Sequence, residues 1–273
     1  FKTQKFFDVC SIGLHQARTQ NHDKPEKTSF STDLHDGPIS FCESTGELFV
    51  TQSDVQSLSD ANNSPRRKKV RLKISVYQQV EDAWIFKEEF PFNNPAYSVA
   101  HPAISDQGDS LFFASDQPGG HGNCDIYLSI RTNGQWQKPQ NLGSPINTKK
   151  DEITPFATQG GTLFFASNGH KKRKSYQIYM ATPKQSAGYN KPTPLPAPIN
   201  NRSNNYGFWL HRNEKFAFFV SDRKKKNDQI YMALGDGFFP RFGDPQNANY
   251  EMNDIDIKTQ QYISALVDQM KSS

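Results

Sequence analysis

The sequence predicts an all-β protein, a β-propeller of about five blades with four antiparallel strands per blade and a repeat of about 52 residues. A recurring pair of motifs carries the prediction. Leu111-Phe-Phe-Ala-Ser115 is followed by Asp125-Ile-Tyr127, Leu163-Phe-Phe-Ala-Ser167 by Gln177-Ile-Tyr179, and Ala217-Phe-Phe-Val-Ser221 by Gln229-Ile-Tyr231. Tyr127, Tyr179 and Tyr231 are spaced by 52 residues. Composition agrees: only 34% of the 273 residues are hydrophobic, yet 21 are Phe and 10 are Tyr, so a few bulky rings must build the core. No run of eighteen apolar residues occurs and mean hydropathy is -0.78, which excludes a membrane-spanning helix.

Within each copy the order is constant. A segment with Pro or Gly opens it: Gly37-Pro-Ile-Ser-Phe41, His101-Pro-Ala-Ile-Ser105, Thr154-Pro-Phe-Ala157 and Tyr206-Gly-Phe-Trp209. A turn, the Phe-rich run, a polar loop, the Ile-Tyr run and a Trp/Pro-rich ending follow. Short aromatic or β-branched runs bounded by Gly, Asn, Asp and Pro read as antiparallel strands. Doubled Phe112-Phe113 and Phe164-Phe165 fit strands covered on both faces by neighbouring blades. A looser copy, Leu48-Phe-Val-Thr51 with Lys73-Ile-Ser-Val-Tyr77, is stretched by an insertion at Ser53 to Lys69.

Sharing the length among repeats leaves one blade to be assembled from both ends of the propeller domain, residues 1–235. Residues 1–34 are expected to supply outer strands of that incomplete first blade, with Asp8-Val9-Cys10 echoing the Asp-Ile-Tyr element. The remainder, 236–273, is expected to hold a closing strand, at Phe238 to Phe242 or Asn253 to Ile257. A short helix or linker follows, because Ile263, Leu266, Val267 and Met270 have helical spacing. The opening FKTQKFFDV has no initiating Met, lipobox Cys or signal-peptide core, as in a processed protein or a fragment.

Chemistry-bearing patterns are sparse. Three cysteines, Cys10, Cys42 and Cys124, make no C-x-x-C, and seven scattered histidines show no metal-ligand spacing, so no cofactor or metal is expected. Gly119-Gly-His-Gly122 lacks the Lys-Ser/Thr of a phosphate loop. Catalysis by a propeller needs carboxylates converging on the central mouth. The candidates there are Asp36, His101 and Glu152, which offer at most two acids and could equally cap strand ends. The expected function is therefore non-enzymatic. A carbohydrate-active enzyme or sugar-binding propeller using the mouth is the alternative.

Tyr97-Ser-Val-Ala-His-Pro-Ala-Ile-Ser105, Ser115-Asp-Gln-Pro-Gly-Gly-His-Gly122, Asn141-Leu-Gly-Ser-Pro-Ile-Asn-Thr148 and Asp151-Glu152 resemble the TolB-type, WD-like propeller of Bacteroidetes OmpA-family periplasmic proteins. The resemblance covers residues 35–235. It implies a propeller in the periplasm, associated with the outer membrane, and a scaffold role in an assembly such as type IX secretion or another outer-membrane machine, for instance one for protein insertion. The chain departs from the family at Gln177 and Gln229, where an Asp precedes Ile-Tyr in relatives, and at Asn204-Asn-Tyr-Gly-Phe208.

Charge is unevenly placed. Three runs, Arg66, Arg67, Lys68 and Lys69, then Lys171, Lys172, Arg173 and Lys174, then Arg223, Lys224, Lys225 and Lys226, fall between the Phe-rich and Ile-Tyr strands. They hold twelve of the 32 Lys+Arg residues, which leaves 20 basic against 28 acidic side chains elsewhere. Strand alternation brings these loops to the same face as the loop containing Lys149 and Lys150. Such a face is expected to meet an anionic partner: protein subunits of an outer-membrane-associated complex, anionic lipid or lipopolysaccharide. Nucleic acid is not expected, because no aromatic residues interleave with the runs.

Overall fold

The computed structural model describes residues 10–11, 26–32, 36–56, 69–81, 83–171, 174–212, 214–224, 228–234 and 251–254. Two short strands, β1 (Cys10–Ser11) and β2 (Glu26–Lys27), pair with each other. Blade 1 is β3 (Asp36–Cys42), β4 (Glu47–Gln56), β5 (Lys69–Val80) and β6 (Ala83–Glu89). Blade 2 is β7 (Val99–Ile104), β8 (Ser110–Ser115) and β9 (Asp125–Thr132), edged by β10 (Gln135–Trp136) and β11 (Gln140–Asn141). Blade 3 is β12 (Glu152–Ala157), β13 (Leu163–Ser167), β14 (Gln177–Ala181) and β15 (Thr193–Pro194). Blade 4 is β16 (Asn205–Leu210), β17 (Phe216–Ser221), β18 (Gln229–Leu234) and β19 (Glu251–Asp254). Neighbouring strands within every sheet are antiparallel.

The doubled phenylalanines tie the blades together. Side chains alternate across a strand, so adjacent rings must enter different layers. Phe113 packs toward blade 1 with Phe49, Ile74 and Val76, while Phe112 packs toward blade 3 with Ile146, Leu163 and Phe165. In blade 3, Phe165 joins that same layer and Phe164 faces Phe208 and Phe219 of blade 4. Polar substitution at either position would open one layer and leave its neighbour intact.

Register reveals a stricter repeat than the motifs alone. Ile74, Ile126, Ile178 and Ile230 pair with Thr51, Ala114, Ala166 and Val220, the equivalent positions of the second strands, and stand 52 residues apart. The first three are each clamped by an asparagine from the segment leading into the next blade. Asn93, Asn147 and Asn200 accept from the amides of Ile74, Ile126 and Ile178 at 2.9, 2.9 and 2.8 Å, and donate to their carbonyls at 2.8, 2.9 and 2.8 Å. A carboxamide carries the same donor and acceptor as a peptide unit, so each asparagine stands in for one residue of a further strand.

Four complete blades, rather than about five, are built among the described residues. Dividing chain length by the repeat counts residues outside it. Blade 1 has a longer β4–β5 hairpin, paired out to Gln56 and Lys69, and residues 57–68 and 235–250 are outside the described set. Of the two closing-strand candidates, the start of Asn253 to Ile257 lies in β19, where Asp254 pairs with Tyr231 as the outer edge of blade 4. Phe238 to Phe242, the helical spacing of 261–271 and Asp8-Val9 lie outside the described residues.

Candidate functional site

The first strands β3, β7, β12 and β16 surround a cavity of about 1030 Å³. Each is broken by a β-bulge, at Gly37-Pro38, His101-Pro102, Thr154-Pro155 and Gly207-Phe208. A bulge bends the strand and re-aims its backbone. All four bulges begin on a residue of positive φ: Gly37 (99°), and in the other three blades His101 (55°), Thr154 (47°) and Gly207 (62°). Glycine adopts this freely, whereas a β-branched threonine does so against steric resistance. What holds them is a chain of hydrogen bonds between blades. The His101 amide donates to Thr51 Oγ1 at 2.9 Å, the Thr154 amide to His101 Nδ1 at 3.4 Å, and the Gly207 amide to Thr154 Oγ1 at 3.0 Å. Accepting at Nδ1 leaves the His101 proton on Nε2, and burial lowers the pKa of this imidazole to about 4.

Asp36, His101 and Glu152 are not brought together. His101 lines the cavity, but Asp36 and Glu152 are the buried first residues of β3 and β12 and do not. Asp36 accepts from the amide and hydroxyl of Thr32 and from Gln52 Nε2. Glu152 accepts from the amide of Thr148 at 2.7 Å, its hydroxyl at 2.8 Å, and Ser167 Oγ at 2.5 Å. Burial raises the Glu152 carboxyl, and these donors oppose the rise. Both acids fasten the segment leading into their own blade. Asn205, first in β16, does the same with Asn201 and Ser221.

The cavity rim away from those strand starts holds the ionisable residues that the sequence did not single out. Arg212 pairs with Glu43 at 2.9 Å and approaches Asp106 at 3.9 Å. Beside it Trp209 is 42% exposed and stacked on Phe218. Two carboxylates held by one arginine suit binding more than proton transfer. The signal for this rim was the 53-residue spacing of His101, Thr154 and Gly207, which indexes the first strands.

The basic residues gather at the opposite end. Glu152 pairs with Ser167 and Asn205 with Ser221, so the loops carrying Lys149, Lys150, Lys171, Lys174, Arg223 and Lys224 leave the sheets at the same end. Lys69 begins β5 there, paired with Gln56. Arg66, Arg67, Lys68, Lys172, Arg173, Lys225 and Lys226 lie outside the described residues. Lys149, Lys150, Lys171, Lys174 and Lys224 are exposed.

Arg223 differs from its neighbours. Its guanidinium donates to the carbonyls of Pro198 and Ile199 at 2.8 and 2.6 Å and to Asn205 Oδ1 at 2.9 Å, and lies 4.7 Å from the Tyr231 ring centre. Burial lowers its pKa from the ordinary arginine value. It works inside blade 4, as His170 does in blade 3, where the imidazole contacts the Ile146 carbonyl and the Tyr179 ring.

Other patterns have structural roles. Asp125 accepts from the amides of His121 and Gly122 and from Asn141, closing the glycine-rich loop. A Cβ on Gly120 would strike Asp125, and one on Gly122 the Lys150 carbonyl, so these glycines serve close packing. Burial, then Asp151 and its acidic neighbours, push the Cys124 thiol up to about 12, far from a reactive thiolate. Among the described residues no group of His, Cys, Asp or Glu is placed to hold a metal ion, and no helix is long and apolar enough to cross a membrane.

No family model matches the chain, and no curated protein matches it. Solved structures do. TolB from Acinetobacter baumannii aligns with TM-score 0.50 at 13% identity over 86% of this chain and 47% of its own, so this chain spans about half that length. A TolB from Agrobacterium tumefaciens aligns with TM-score 0.50 at 13% identity, over 84% of this chain and 68% of its own. An α-L-arabinofuranosidase from Lactobacillus brevis aligns at TM-score 0.43 and 14% identity, over 78% of this chain and 76% of its own. At these identities likeness speaks for architecture alone, and the architecture is a TolB-like β-propeller.

Proposed function

We propose that this propeller is a non-enzymatic interaction module of the periplasm, a scaffold in an outer-membrane-associated assembly with type IX secretion as the leading case. It binds an anionic partner surface through lysines at one end of the ring. The observation that carries this reading is the convergence of Lys149, Lys150, Lys171 and Lys174 at the end where β12 and β16 begin, on a chain that carries 20 basic against 28 acidic side chains outside its three basic runs. Like charges on the segment entering blade 3 and on its β13–β14 loop have no internal use for one another, and together they raise the local potential toward an anion. The test is capture from membrane extracts at increasing salt, with co-purifying chains identified by mass spectrometry. Replacing the four lysines with serine should abolish capture of an acidic partner and flatten its salt dependence. Unchanged capture overturns the reading.

A second reading is favoured by Trp209. An exposed indole beside Arg212 and Glu43 at the rim of an open cavity suits a sugar ring. Glycan-array binding that vanishes on Trp209→Ala would favour that reading over the basic end.

A further inference from the structure

The central cavity has a charge of its own, opposite in sign to the basic end. Setting the histidines aside, the ionisable residues that line it are Glu43, Asp106, Glu214 and Arg212, three carboxylates against one guanidinium. His101 on the same wall adds no charge at neutral pH, because burial holds its pKa at about 4. Nor does Arg212 cancel its neighbours firmly. The Arg212 and Glu43 side chains are 62% and 70% exposed, and an ion pair so open to water contributes little beyond the cost of ordering two long side chains. Asp106 is looser still, 3.9 Å from Arg212 Nε. A better placed cation can therefore exchange with this arginine.

Behind the rim the wall is poor in hydrogen-bond donors. Three of the four bulges place a proline on it, Pro38, Pro102 and Pro155, and proline has no amide to offer. The amides of His101, Thr154 and Gly207 already serve the neighbouring blades. Recognition thus falls to the apolar wall and the side chains of the rim. Trp209 is the broadest of these. Its indole stacks on Phe218 with ring centres 5.9 Å apart and lies 6.4 Å from Phe156 of blade 3, yet stays exposed. A ring held by such neighbours is a platform that a ligand need not order, and an indole face also attracts a cation.

We propose that the rim of this cavity binds a sugar carrying a free amino group, its ring on Trp209 and its ammonium in the place of the Arg212 guanidinium between Glu43 and Asp106. The proposal rests on the reading of Trp209 as a sugar platform and adds the sign of the sugar's charge. An acidic sugar would meet three carboxylates, and an acetylated amine brings no charge to answer them.

The test is calorimetric titration of the full chain with two oligosaccharides that differ in charge, a glucosamine oligomer and the same oligomer N-acetylated. The glucosamine oligomer should bind at least about tenfold more tightly, and its affinity should fall as salt is added. Arg212→Gln should strengthen that binding by removing the competitor for both carboxylates, Glu43→Gln should weaken it, and Trp209→Ala should abolish it. Equal or tighter binding of the acetylated oligomer overturns the proposal and leaves the sugar reading standing, whereas no binding of either oligomer overturns both. Weaker binding after Arg212→Gln also overturns it, because the arginine would then be holding the ligand. So does binding that survives Trp209→Ala, since a polycation drawn to acidic surface in general needs no indole. If a variant fails to fold, the comparison of the two oligomers on the unmodified chain decides.

Discussion

Thr154 donates its backbone amide to Nδ1 of His101 across the boundary between blades 2 and 3, and both residues hold left-handed backbone. The bond requires an unprotonated Nδ1, so two blades are joined by a contact that acid can break. Because the His101 amide reaches back to Thr51 and the Thr154 hydroxyl receives Gly207, one protonation event sits within a connection running through all four blades.

Stability should therefore fall with acid in a defined window. The folded pKa of His101 is about 4, below the ordinary 6.5, because burial disfavours the imidazolium. Between these values the unfolded chain binds more protons than the folded one, so stability is full above pH 6.5 and is lost progressively as pH falls toward 4. His101→Asn keeps a side chain that tolerates positive φ and removes the titration. Melting temperature followed from pH 7 to 4 should show a shallower fall, with on the order of 1–3 kcal/mol less acid sensitivity. Identical slopes would show that His101 is already paired to water in the folded state.

Thr154 combines a conformation it disfavours with a hydroxyl that Gly207 needs. Thr154→Val keeps the strain and deletes the acceptor, and should cost about 1–3 kcal/mol in urea unfolding, the range for an orphaned buried amide. Thr154→Asn offers an acceptor and accepts the left-handed region, and should be the milder change. Equal losses would mean that the hydroxyl does not serve Gly207.

Much of the fold was legible because its signal is local. Phe112-Phe113 and Phe164-Phe165 announce two-sided burial within four residues of sequence, and their spacing gives the repeat. Blade 1 reads as a looser copy because its β4–β5 hairpin is lengthened at Ser53 to Lys69 and Ser75 stands where the other blades have tyrosine, although Ile74 keeps the 52-residue period. The site was less legible. Asp36 and Glu152 read as mouth carboxylates because sequence gives their order along a strand but not the bulge that separates them from the cavity. Arg212 meets Glu43 169 residues away, a pairing that no local pattern encodes.

Glu47 offers a test of the joint between blades 1 and 2. Its carboxylate is 1% exposed and accepts from Lys87 at 2.6 Å and from Arg131 of blade 2 at 2.8 Å. Burial alone would raise its pKa, but hydrogen bonds from Arg131 and Lys87 bring it below the ordinary 4.5. Its contribution is present above that value and lost as pH falls through the lower folded pKa. Glu47→Gln should cost about 2–3 kcal/mol at pH 7, less than the 3–5 of a fully buried pair because Lys87 is half in water. The gap between variant and parent should narrow as both are titrated toward pH 3. A constant gap would assign the loss to packing rather than charge.

Arg223 and Lys171 should separate stability from recognition at the basic end. Arg223 forks onto the Pro198 and Ile199 carbonyls and Asn205 while lying on the Tyr231 ring, a set that an ammonium cannot satisfy together. Arg223→Lys keeps the net charge yet should destabilise by about 1–3 kcal/mol, because it leaves acceptors in the segment leading into blade 4 without donors. Lys171→Ser with Lys174→Ser removes two charges from exposed positions and should leave stability within about 0.5 kcal/mol while weakening partner capture. The two variants thus predict opposite outcomes in the same pair of assays, thermal unfolding and salt-dependent capture. If Arg223→Lys were as stable as the parent but bound less partner, the arginine would belong to the recognition surface and its internal contacts would be incidental.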